Sequence, residues 1–269
     1  MNSLTVSKIC GVYGFEITKP IEFDNFRIVP RVFDFQQAQK LASDNNSFNL
    51  TAAIEAESIP DSLIVNLEAI LSFIEHQKVV LTVPIENKRP DPFKQFNEVL
   101  VLGRRHARGG QVIMHDTFAE QSRKIFIEKA LSRLQDEDFC RQTQFRSLFF
   151  KKVESFSQVY IEINYFLLFS GVEAYARTAL GDQKSRAPEV LLTIFNHHGL
   201  KVTIDQIMPF VRLRNSLFHN NMHRLASDET TGRMLSRFSR LVTLLILKVA
   251  DFDDGRIRWD GWMGRYWFK

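Results

Sequence analysis

Cysteine is almost missing from this chain: Cys10 and Cys140 are its two copies, far apart and without partner spacing. That scarcity argues against a disulfide framework or a cysteine zinc site, and it makes a reducing cytoplasm the expected location. Long apolar runs are missing too. The longest candidate, Tyr160 to Leu168, is interrupted by Glu162 and Asn164, far short of the roughly 20 residues that span a bilayer. No membrane contact is therefore expected. The opening residues Met1-Asn2-Ser3-Leu4 offer neither a basic n-region nor an apolar h-region, so no secretory signal is expected. No period of 20–50 residues recurs, which removes solenoids and propellers from consideration. Nor is there a cluster of histidines and carboxylates of the kind a metalloenzyme needs; neither metal nor cofactor is expected.

What is present is an ordinary globular composition, 45% hydrophobic and 25% charged, so large-scale disorder is not expected. The 24 phenylalanines are dispersed and read as packing residues. Charge is unevenly placed. Residues 1–115 hold 12 Lys+Arg against 13 Asp+Glu, whereas residues 116–269 hold 23 against 18. The basic surplus belongs wholly to the second part, where it serves either an anionic partner or solubility.

Residues 1–115 read as a mixed α+β domain. Val12–Ile17 and Phe26–Phe33 are rich in β-branched and aromatic residues and are separated by Pro20 and Asp24-Asn25, a pattern that predicts a strand pair. Asp61 is placed to cap a helix carrying Leu63, Leu67, Ile70, Leu71 and Ile74, and Val79–Val83 reads as a short strand. The segment 103–110 (Gly-Arg-Arg-His-Ala-Arg-Gly-Gly) puts Arg104, Arg105 and Arg108 in one glycine-flanked loop. Such a loop either grips phosphate or serves as a solvated linker; it is neither a P-loop nor a GxGxxG turn.

From residue 116 the hydrophobic period is helical. Thr117 and Glu120 have capping-box spacing, ahead of an apolar stripe from Phe126 to Leu134. A further helical stretch is expected from Phe139 through to Leu180, stopped by Gly181. Pro188 suits the first turn of a helix that Gly199 closes, Thr203 and Gln206 open another containing Pro209, and Ser227 opens the last. Five or six helices with short connections make a bundle over residues 116–252. Residues 253–269 form a tail of tryptophans and arginines that either stacks on bases or docks on its own domain.

Within the penultimate long helix the sequence runs Phe210-Val211-Arg212-Leu213-Arg214-Asn215-Ser216-Leu217-Phe218-His219-Asn220. An arginine, a polar residue, three more residues and a histidine, with an amphipathic helix behind, resemble the signature of the HEPN (higher eukaryotes and prokaryotes nucleotide-binding) superfamily. An earlier helix carries Phe169-Ser170-Gly171-Val172-Glu173-Ala174-Tyr175, similar to the "LEAL"-type stretch of Apea-like and abortive-infection members. The resemblance covers roughly residues 117–252. It implies a metal-independent endoribonuclease of the kind that acts as a toxin or anti-phage effector, with RNA as substrate. It further implies a homodimer with a composite active site, and an antitoxin or trigger protein as partner. Arg214, Asn215 and His219 are then the catalytic set, and Glu173 is either a supporting residue that pairs with Arg214 and orients it or a solvated helix glutamate. Arg212 is a contact to RNA phosphate, as are Arg104, Arg105 and Arg108 if their loop grips phosphate rather than serving as a linker. Residues 1–115 are left for a sensing or regulatory role. Where some members carry a tyrosine two residues after the histidine, this chain has Asn221, so control through modification of that tyrosine is not carried over. The alternative is a non-catalytic HEPN-like module that dimerises and binds a protein or a nucleotide.

The residue types suit RNA cleavage. Imidazole exchanges a proton near neutrality, and guanidinium grips two phosphate oxygens with permanent charge. Helical spacing places Asn215 and His219 on one face, but Arg214 lies about 140° round the axis from His219. A long side chain, helix distortion or a second copy is needed to bring the two together. His219 and His223 also stand at i, i+4, the spacing of a helical metal site, but no third ligand accompanies them.

Overall fold

The computed structural model describes residues 7–44, 46–102, 110–219 and 228–263; for His219 and residues 228–230 it describes the backbone alone. The chain is α+β, an antiparallel sheet region followed by a mostly helical one. By contacts it divides into two compact units, Met1–Leu131 and Ser132–Lys269.

The first unit contains strands β1 (Lys8–Tyr13), β2 (Ile21–Glu22), β3 (Phe26–Pro30), β4 (Phe48–Ala56), β5 (Val80–Leu81), β6 (Ile85–Glu86) and β7 (Val99–Leu100). They make one antiparallel sheet in the order β2-β3-β4-β1-β5, with β6 on β1 and β7 on β4. Of the two strands anticipated from sequence, Phe26–Phe33 is found as β3, whereas Val12–Ile17 shares only Val12 and Tyr13 with β1, and β1 and β3 do not pair with each other. Both pair with β4, so that Ile54 faces Cys10 on one side and Ile28 on the other. The β1 strand ends earlier than expected because Gly14 takes a φ of 82°, a left-handed conformation that glycine adopts without strain.

Helix α1 (Phe35–Ala42) packs on β4 and is held at its start by the Asp34 carboxylate, which accepts from the Gln37 N–H. Helix α2 (Asp61–Glu75) begins where expected, although Pro60 is its cap residue and Asp61 sits in its first turn. Its buried face contributes Leu67, Ile70, Phe73 and Ile74 to the core. Helix α3 (Ser122–Gln135) starts after Thr117 and Glu120, because Gln121 adopts a φ of 66° and breaks the expected capping box. Its first part belongs to the sheet unit, where Phe126 stacks on Phe73 at 5.4 Å. Arg123, wholly buried, pairs with Glu75 at 3.3 Å, donates to the Glu16 carbonyl and covers the Phe15 ring. These contacts carry the first unit past residue 115, the expected boundary, into α3.

The second unit holds α4 (Glu137–Thr143), α5 (Phe145–Glu154), α6 (Ile161–Leu180), α7 (Ala187–His197), α8 (Ile204–His219) and α9 (Asp228–Val249). The stretch expected to run unbroken from Phe139 to Leu180 is three helices. Gln144 turns left-handed at φ 61° between α4 and α5, and Gln158 and Tyr160 are extended before α6. Gly181 and Gly199 close α6 and α7 with φ of 64° and 74°. Pro209 lies inside α8 without ending it. All five other helices pack on α6. Phe238 of α9 sits centrally, its ring 5.0, 5.3 and 5.8 Å from those of Phe210, Tyr165 and Phe169; burying one such side chain contributes about 1.5–3 kcal/mol. Lys152 of α5 is completely buried and donates to the Ser239 hydroxyl of α9 at 2.5 Å. Burial pushes its pKa down to about 7. The described part of the tail docks on this unit: Trp262 is buried against Phe210, and Trp259 lies over the Lys248 ammonium at 3.6 Å.

Candidate functional site

The α6–α8 seam positions the arginine–histidine motif. Helix α8 is anchored from below by Ile207, Phe210, Val211 and Leu213, all buried, and by Tyr165 of α6, whose hydroxyl donates to the Phe210 carbonyl at 2.7 Å. That bond fixes the level of α8 against α6 one turn before Arg214.

Arg214 is half-buried. Its guanidinium carbon lies 5.4 Å from the centre of the Phe169 ring in α6, so the π face supports the charge from beneath. Nη1 donates to Oδ1 of Asn215 at 3.0 Å. Neighbouring residues on a helix diverge by about 100°, and this bond pulls the guanidinium toward the face that Asn215 shares with His219. Part of the angular gap between the arginine and the histidine is thereby closed within one chain. Among the described residues Arg214 has no carboxylate partner, which leaves its charge available to an anion. Asn215 and Arg212 are both exposed.

His219 is the last residue of α8; its side chain lies outside the described part. So do residues 220–227, His223 among them, and residues 103–109, with Arg104, Arg105 and Arg108.

Glu173 does not serve Arg214. Its Oε1 accepts from Nη2 and Nε of Arg177, one turn along α6, at 2.7 and 3.0 Å. Arg177 in turn donates to the Ser185 carbonyl at 3.0 Å. The pair therefore secures the α6–α7 connection, and the expectation that Glu173 orients Arg214 is corrected. The i, i+4 spacing with Arg177 was there to be seen.

His198 is the residue that ends α7. Its Nε2 meets the Tyr175 hydroxyl at 2.9 Å, and burial, then the neighbouring His197 and Lys248, lower its pKa to about 4. It is neutral near pH 7 and remote in role from the motif. Among the described residues no group of three or more His, Cys, Asp or Glu could hold a metal ion, and no helix is long and apolar enough to cross a membrane.

Reasoning from sequence overlooked the aromatic surroundings of the motif. Phe169 supports the arginine, while Phe166 and Phe218 meet edge to face at 5.5 Å and stand 51% and 40% exposed. Exposure of two large rings at one place was not legible in a chain where phenylalanine is common everywhere.

No protein-family model matches the chain, and neither a curated protein nor a solved structure is significantly similar to it.

Proposed function

We propose that the chain is a metal-independent endoribonuclease of HEPN type, acting in a reducing cytoplasm as a toxin or anti-phage effector. The observation that carries this reading is the Arg214–Asn215 pair: a guanidinium with no carboxylate partner among the described residues, resting on a ring and drawn toward the face that ends in His219.

The chemistry follows from those groups. His219 accepts the 2′-OH proton, and the 2′ oxygen attacks the adjacent phosphorus. The bond from phosphorus to the 5′ oxygen breaks, and that oxygen takes up a proton from an imidazolium. The products are a 2′,3′-cyclic phosphate and a 5′-OH. Arg214 binds the two non-bridging phosphate oxygens as charge accumulates, and Asn215 donates to one of them as well or holds the imidazole in one tautomer. One imidazole cannot be base and acid in the same step. A homodimer, pooling two Arg214–His219 sets in one cleft, supplies the second and closes the remaining angle. Arg212 contributes a phosphate contact beside the cleft, and residues 1–115 receive the signal from an antitoxin or trigger protein.

Purified protein incubated with total RNA in excess EDTA tests this. Cleavage leaving 5′-OH ends, lost in both His219→Ala and Arg214→Ala, is the expected result. Intact RNA, or cleavage that EDTA abolishes, overturns it; intact RNA favours the non-catalytic module that binds a protein or nucleotide.

A further inference from the structure

Beside the arginine, the α6–α8 seam carries an aromatic pair that packing leaves uncovered. Phe169 and Phe166 are one turn apart on α6, and Arg214 and Phe218 one turn apart on α8. The helices match these positions in antiparallel order: Arg214 lies against Phe169, and Phe218 against Phe166. The two contacts differ sharply in exposure. Phe169 is 2% exposed, whereas Phe166 and Phe218 stand 51% and 40% open. A cation without a carboxylate partner among the described residues and an open aromatic pair are thus spaced by about one helical turn, ~5.4 Å. That is the scale of the separation between a nucleotide's phosphate and its base.

We propose that Phe166 and Phe218 form a stacking platform for an unpaired base of the RNA whose phosphate Arg214 binds, which restricts the enzyme to single-stranded or looped substrate. This rests on the nuclease reading and adds to it a residue-level reason for the strand preference. A duplex keeps its bases stacked on one another, so its bases cannot reach the rings, while a splayed base offers a π face to aromatic side chains. A cation one turn away matches a nucleotide, which carries its negative charge beside its ring. An occupant from a second copy of this chain would need apolar atoms at Phe166 and Phe218 and an acid at Arg214. Two further exposed apolar residues precede Phe166: Ile163, one turn earlier on α6, and Val159, just before the helix begins.

The test compares wild type with Phe166→Ala and Phe218→Ala on one RNA, single-stranded and annealed to its complement. Sedimentation mass is measured for each protein. Both rings are solvent-open, so the fold tolerates either change. Expected is a loss of about tenfold in kcat/KM on single strands for each variant, entered through KM, with recovery in Phe218→Trp and little cleavage of duplex by any protein. In the His219→Ala background, an RNA bearing 2-aminopurine should lose fluorescence on binding, and Phe218→Ala should abolish that quenching. Wild-type cleavage with unchanged kcat/KM in both alanine variants overturns the platform and leaves the nuclease reading standing. A changed sedimentation mass in the variants also overturns it, assigning the rings to self-association. Quenching that depends on Phe218, in a protein that cuts no RNA, upholds the platform and removes the nuclease.

Discussion

The guanidinium of Arg214 and the ring of Phe169 are 5.4 Å apart across the α6–α8 seam, charge above π face. The ring belongs to the buried core, so the arginine takes its position from the packed interior of the second unit. A contact of this kind contributes about 0.5–2 kcal/mol.

Phe169→Leu tests what the ring does for the arginine. Apolar bulk is retained, and the stability cost should stay below about 1.5 kcal/mol in urea unfolding. The cation loses its seat, and RNA cleavage should fall roughly tenfold, in line with the energy of that contact. Activity equal to wild type would show that Asn215 alone positions the guanidinium.

Glu173→Gln should leave cleavage within about twofold of wild type, since the carboxylate is bound to Arg177. The pair is mostly shielded from solvent and carries two charged hydrogen bonds, so losing the charge should cost about 1–3 kcal/mol. A hundredfold loss of activity would restore Glu173 to the site.

Lys152 gives a pH signature. Its folded pKa, about 7, lies below the ordinary 10.5, so between those values the unfolded chain binds the extra proton. Stability of the second unit should therefore rise as pH increases from 7 to 10.5, with the burial penalty fully present below 7. Lys152→Met removes that rise. Its stability relative to wild type should be greatest at pH 6 and decline toward pH 10 in urea titrations. A parallel pH dependence in the two proteins would contradict the burial of a neutral amine.

His198 acts in the acid range. Its folded pKa of about 4 lies below 6.5, so acid protonates the unfolded form first. Stability should be lost as pH falls from 6.5 to 4. The described tryptophans, Trp259 and Trp262, belong to the second unit, so their fluorescence follows the unit that holds His198. His198→Gln should flatten the acid limb; an unaltered limb would show that another group titrates there.

The helices that announced themselves in the sequence had both an apolar period and a stop residue. Leu63 through Ile74 gave α2, Gly181 and Gly199 closed α6 and α7, and Thr203 with Gln206 opened α8. Where a glutamine does the work of a glycine, at Gln121 and Gln144, nothing in local propensity marks the break. The central strand β4 was missed because Asn49, Ala52, Ala53 and Ala56 are poor strand formers; tertiary pairing on both sides overrides their preference. Helix α1 is only eight residues long and was lost among loop-like neighbours. At the site, the order Arg214-Asn215 was legible as a motif, whereas the bond between them depends on the rotamers both side chains adopt and the ring beneath is a tertiary contact. Glu173 was assigned by analogy with a family stretch, and its nearer i+4 arginine won.

The central place of β4 sets a timetable for synthesis. β1 and β3 are synthesised 43 and 26 residues before their shared partner is complete, and each waits with its hydrogen-bonding edge unsatisfied. Chains cut short and released before residue 48 would carry two sticky strand edges and no means of closing them, so aggregation should concentrate in truncated products of that length.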